Sequence, residues 1–135
     1  MADTLESLNP AETLALRAPA DEAAVTDAVV VVYLNTTTDN AGRPLGIIDG
    51  YQPAHILEPA LTYRMSVLPT IAGIAAALEQ VFFDLNVGDD PAFVATPKAA
   101  VLQYRACGHR SLSVGDVVEV LDKRYAVDRC GFRQI

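Results

Sequence analysis

Asp27-Ala28-Val29-Val30-Val31-Val32-Tyr33-Leu34-Asn35 is the stretch on which the fold turns. Four consecutive valines and an aromatic residue pack well on a pleated surface and lose rotamer freedom in a helix. The run is continuous and does not alternate with polar residues, which predicts a central strand covered on both faces. Downstream, Thr36 to Asp49 gathers Thr, Asn, Gly and Pro and reads as a loop or irregular hairpin. Weak alternation through Ile56, Leu57, Leu61, Tyr63 and Met65 places a second strand near Ala60–Ser66, beside the first.

The period then changes. Between Pro69 and Asn86, the residues Ile71, Ile74, Ala75, Leu78, Val81, Phe82 and Leu85 fall on one stripe at helical spacing. Pro69 suits a first helical turn, and Asn86 to Gly88 supplies stop residues. The reverse face (Ala72, Gly73, Ala76, Ala77) is small and uncharged, suited to close packing against another element or a second copy of the chain in a homodimer. A turn-rich exit, Asn86 to Pro91, and a loop over Phe93–Ala99 lead to Ala100–Ala106, read as a third strand. Val117–Leu121 and Arg124–Asp128 flank Asp122-Lys123 as a hairpin. Its second strand puts Tyr125 and Val127 on one face and Arg124, Ala126 and Asp128 on the other. Gly131 permits a bend or bulge before Phe132–Ile135.

The order β-β-α-β-β-β predicts an α+β fold, a mainly antiparallel sheet with one principal amphipathic helix packed on a face. Residues 27–135 form a single domain of this kind. Residues 1–26, rich in Ala, Glu and Asp with Pro10 and Pro19 and no aromatic residue, are expected to form an acidic tail or a short docked helix from Asn9-Pro10 through Arg17.

The chain has 135 residues, enough for one domain with a real core. Its net charge of −7 is uneven: residues 1–97 carry −10 and residues 98–135 carry +3. Overall acidity opposes non-specific binding to nucleic acid, while the basic final third leaves a local anionic contact open. No apolar run approaches the ~20 residues of a membrane span, so no membrane partner is expected. The acidic start, Met1-Ala2-Asp3-Thr4, lacks the pattern of a signal or transit peptide, and a cytoplasmic location is the expectation. Cys107 and Cys130 are the only cysteines, and in that compartment they read as buried free thiols.

The chemistry-bearing residues assemble no known catalytic pattern. Cys107, His109, Cys130 and His55 include one C-x-H pair and lack paired zinc-ligand spacing, so no metal is expected. His109, Ser111, Ser113 and Asp116 are the ingredients of a nucleophilic triad, yet they crowd into eight residues, whereas triads draw on distant segments. Phosphate-binding glycine loops are absent, Asp89-Asp90 reads as a helix-ending turn, and no cofactor is implied. Arg105, Arg110, Lys123, Arg124, Arg129 and Arg133 lie among Tyr104, Tyr125 and Phe132, a mixture that single-strand nucleic-acid binders use.

One segment stands apart. Arg110-Ser111-Leu112-Ser113-Val114-Gly115-Asp116-Val117-Val118 joins a polar opening and a Gly-Asp turn to a β-branched run. Together with Tyr125, Val127, Asp128, Gly131 and Phe132 it resembles the YodL-like domain, whose pattern pairs a Ser-Leu-Ser-Val-Gly-Asp-type turn with a Tyr-x-Val-Asp-x-x-Gly-Phe ending. The likeness covers about a quarter of the chain and carries no catalytic residue. Val81-Phe82 with Asn86 to Pro91, and Tyr104-Arg105 before the motif, are similar to small proteins of high-GC bacteria and their mobile elements. The resemblance implies a setting, that of an accessory protein of a phage, plasmid or conjugative element.

The expectation is therefore a non-enzymatic protein-binding accessory or regulatory protein that engages a host or element protein. Its contact edge would comprise Tyr104, Arg105, Arg110, Ser111, Ser113 and Asp116, with Gly115, Gly131 and Phe132 as structural residues of the motif. A nucleic-acid binder using the basic final third is the first alternative. A small-molecule enzyme with chemistry near His109 and Asp116 is the second.

Overall fold

The computed structural model describes residues 24–135. The expected N-terminal tail or docked helix therefore lies almost wholly outside the described residues. Eight elements follow in order: β1 (Thr26–Asn35), α1 (Leu45–Asp49), β2 (Leu57–Val67), α2 (Ile71–Val87), α3 (Ala99–Ala106), β3 (Val117–Val120), β4 (Lys123–Val127) and β5 (Phe132–Gln134). The strands form one sheet in the order β2-β1-β3-β4-β5, antiparallel at every pairing. The α+β class with a mainly antiparallel sheet is thus present.

β1 is central, as its composition demands, but only one of its faces is fully covered. Ala28, Val30, Val32 and Leu34 are buried, whereas Val29 is 45% exposed and Val31 and Tyr33 are half-buried. A continuous valine run does not distinguish two-sided burial from one buried face and one propensity-driven face. β2 runs longer than its sequence pattern suggested, and its register against β1 slips by one residue at Val32/Tyr33, a β-bulge beside Ala60.

α2 begins after Thr70, whose hydroxyl accepts from the Gly73 N–H at 3.0 Å and caps the first turn. Its stripe packs on the sheet through Leu78, Val81 and Leu85, and Phe82 meets the Phe132 ring edge-on at 6.3 Å. Ile71, expected on that stripe, is 92% exposed at the first turn of the helix. Of the reverse face, Ala77 is buried and Ala72 and Ala76 are exposed.

The principal correction concerns residues 100–106, which form the helix α3 and not a strand. Ala, Leu, Gln and Arg favour the helix. The two buried residues, Val101 and Tyr104, are three apart, the spacing of one helical face. Two helices therefore lie on the sheet: α2 and α3 both contact β2 and each other. The hairpin turn is also displaced by one residue. Leu121 (φ 51°) and Asp122 (φ 65°) are its central pair, and Lys123 already belongs to β4. Within the hairpin Tyr125 and Val127 do share the core face, and Gly131 bends at φ 79°.

On the sheet face away from α2 and α3, Val117 and Ala126 are fully buried. The covering layer is the segment 36–56. Its carbonyls at Ile48 and Tyr51 accept from Arg129 (3.0 Å) and Arg133 (3.2 Å). Gly46 lies so close to Gly115 that a Cβ on the latter would come within 2.5 Å of Gly46 backbone atoms. Both cysteines are exposed, not buried as expected: Cys107 caps the end of α3, and Cys130 sits in the turn before β5.

Candidate functional site

The β1–β3 ladder contains three residue pairs, Val31–Glu119, Val32–Val118 and Tyr33–Val117. Beyond it, side chains take over from backbone pairing. Asp116, the residue before β3, is wholly buried, and its carboxylate accepts four hydrogen bonds. The Asn35 N–H (2.8 Å) and Ser113 N–H (2.8 Å) come from the backbone. The Arg110 guanidinium supplies two more, at 2.7 and 2.8 Å, one to each oxygen. A buried carboxylate requires such pairing, because desolvation without it costs several kcal/mol. Arg110 is held more firmly protonated than an ordinary guanidinium, chiefly through its bonds to Asp116. Its Nη atoms also reach the carbonyls of Ser111 (3.0 Å) and Asn35 (3.3 Å).

Every residue of the expected contact edge is drawn into this one network. Tyr104 is buried, and its hydroxyl donates to the Arg110 carbonyl. Burial first, and the Asp116 charge second, push the Tyr104 phenol up to about 12. Arg105 spans the end of α2, donating to the carbonyls of Leu85 (2.9 Å) and Asn86 (3.2 Å) and to Ser111 Oγ (2.9 Å). A cation at a helix C-terminus is favourable in its own right. Gly115 adopts φ 94° with its back to Gly46, so no side chain fits there. His109 packs on the Tyr104 ring at 5.0 Å. Ser111 Oγ accepts from Arg105, and the Ser113 backbone bonds Asp116 at both its N–H and its carbonyl. Of the polar groups that looked available for chemistry, Asp116, Arg110 and the Ser111 hydroxyl have partners within the chain.

Two members of the network escaped the sequence reading. Asn35, at the end of β1, is buried: its Nδ2 donates to the Gly115 carbonyl at 3.1 Å and contacts His55 Nδ1 at 2.9 Å, and its Oδ1 accepts from the Thr37 N–H at 3.1 Å. His55 links this corner to the segment 36–56, and nothing in a lone His within a polar loop signals that partnership. A separate buried carboxylate, Asp84 on α2, accepts from Tyr63 Oη (3.0 Å), Gln80 (2.8 Å) and the half-exposed Lys98 (2.8 Å). Its place beside Val81 and Leu85 on the buried stripe was the available signal.

The surface that this network supports is apolar. Ile47, Ile48 and Ile56 of the covering segment are 42, 44 and 59% exposed. The segment that carries them is tightly bonded. Asp39 accepts from the N–H groups of Ala41 and Arg43, which holds its carboxyl below the usual range, and it also pairs with the Arg43 guanidinium. Thr37 ties to Ile56 and Leu45. Elsewhere a shallow groove of about 500 Å³ lies between α2 and β4–β5, lined by Ile71, Ile74, Leu78, Tyr125 and Phe132, with Glu79 and Gln134 as its polar members. Among the described residues, no three His, Cys, Asp or Glu side chains gather as a metal site, and no helix is long and apolar enough to cross a membrane.

No family model, no curated protein and no solved structure matches the chain.

Proposed function

We propose that this chain is a non-enzymatic protein-binding accessory protein of the cytoplasm, related to YodL-like domains and serving a phage, plasmid or conjugative element. The observation that carries this reading is the rigid mounting of Ile47, Ile48 and Ile56. Three isoleucines left in water on one covering segment, beside a clamp in which the half-exposed Arg110 holds the buried Asp116 and Asn35, form the kind of surface that a protein partner desolvates. On this reading the Ser-Leu-Ser-Val-Gly-Asp motif positions the surface, and the partner touches the loop. A host or element protein with an apolar patch is the expected ligand.

The nucleic-acid alternative loses support from charge pairing. Of the seven cations in residues 98–135, five are in ion pairs: Lys98, Arg105, Arg110, Arg124 and Arg133. Pairing of this kind leaves less charge to neutralise phosphates.

The test is capture by the full-length protein from nuclease-treated lysate, compared with Ile48→Asp and Ile56→Asp. Exposed positions of this kind shift stability by no more than about 0.5 kcal/mol. The expected outcome is one protein captured by the wild type and lost from both variants, with unchanged melting temperatures. Capture that survives both substitutions, or that disappears on nuclease treatment, would overturn the reading.

A further inference from the structure

We infer that His55 is an acid-sensitive latch that seats the segment 36–56 on the sheet. The amide orientation of Asn35 is fixed by its neighbours. Its Oδ1 must face the Thr37 N–H, and its Nδ2 must face the Gly115 carbonyl. The group presented to His55 Nδ1 at 2.9 Å is therefore an N–H donor. A second donor, the Gln52 N–H, points at the same nitrogen at 3.3 Å. His55 Nδ1 must then be the bare acceptor of a neutral imidazole, with the proton on Nε2. The His55 N–H returns a bond to the Gln52 carbonyl at 2.9 Å, closing the turn over Pro53 and Ala54.

A proton on Nδ1 turns both contacts into donor against donor. The imidazolium can be accommodated only if His55 withdraws, and with it the Gln52–His55 turn. The charged and titratable groups around this corner do not offset that change. Tyr51 presents its ring to His55 edge-on at 6.1 Å. Asp116 lies beyond Asn35 and is already neutralised by Arg110. Asp128, near Gly50, is paired with Arg133, and Glu58 of β2 accepts from Thr36. Among the described residues, His55 is in no ion pair with a carboxylate. A proton added at Nδ1 therefore loosens the segment. The sign is fixed: the latch is closed at high pH and opens as pH falls. This step stands on geometry alone, and its use as a control of partner binding rests on the reading of the loop as a binding surface.

The experiment is amide hydrogen exchange of the full chain at pH 7.5 and 5.0, corrected for intrinsic rates, beside nitrogen-detected NMR of the His55 ring. In the wild type, protection at Leu45, Gly50, His55 and Ile56 should fall at least about tenfold at the lower pH, while Val30 and Val118 stay protected. His55→Asn keeps an acceptor near the Nδ1 position without a titratable ring, and its loop should keep the same protection at both values. A wild-type loop with unchanged protection, an equal loss in His55→Asn, or a proton on Nδ1 at neutral pH would each overturn the inference. If His55→Asn does not fold, the wild-type tautomer and exchange profile decide. Because neither measurement uses a partner, failure of the latch is distinguishable from failure of the binding reading.

Discussion

At Asp116 and Gly115 the chain tolerates almost nothing else. Asp116 holds two backbone N–H groups and a bidentate guanidinium in a site without solvent. Asp116→Asn keeps the shape but turns one acceptor into a donor that faces other donors. Chemical denaturation should show a loss of about 1–3 kcal/mol, the usual cost of leaving a buried polar group without its partner, because the Arg110 side of the pair is 42% exposed. Gly115 and Gly108 offer a sharper comparison, since both have positive φ (94° and 79°). A Cβ at Gly108 meets nothing within 4 Å, whereas at Gly115 it collides with the Gly46 backbone. Gly108→Ala should therefore cost about 1–2 kcal/mol from backbone strain alone, and Gly115→Ala about 2–5 kcal/mol. Equal effects would show that the Gly46 contact does not constrain the fold. Tyr104 adds a pH dependence at the alkaline end. In the unfolded chain its phenol ionises near pH 10, but in the folded protein burial holds it up to about 12. Between these values the unfolded state alone sheds the proton, so stability falls as pH rises from about 10 to 12. Denaturation midpoints across that range should drop, and Tyr104→Phe should drop less.

Elements differ in how plainly the sequence announced them. α2 was legible because its stripe repeats over four turns and stop residues follow it. The closing hairpin was legible because Val117 to Val120 and Tyr125 to Val127 bracket a polar turn. α3 was not: eight residues hold two buried positions, too few to establish a period, and Val and Tyr suit a strand as well. The candidate site was half legible. Its motif residues cluster in sequence and again in space, but Asn35 and His55 join them from 80 and 60 residues upstream, which only the β1–β3 pairing brings about. The hairpin turn carries its own test. Leu121 and Asp122 both occupy left-handed backbone conformations, where Asn and Gly are the unstrained choices. Leu121→Asn with Asp122→Gly should raise stability by about 0.5–1 kcal/mol, read as a higher denaturation midpoint with an unchanged slope. A neutral or negative result would mean that Leu121, which packs against the core, contributes more through contacts than it loses through strain.

Across the whole molecule, the sheet is assembled from the two ends of the described chain. Its central contact joins Tyr33 to Glu119, 86 residues apart. A ribosome makes about 5–20 residues per second, so β1 emerges roughly 4–17 s before its second neighbour exists. During that interval β1 can pair with β2 along one edge, but its other edge, rich in valine, stays open. Exposed apolar strand edges are templates for association with other nascent chains. A shorter translation interval between Tyr33 and Glu119 should therefore leave that edge open to fewer encounters, and a pause between them to more.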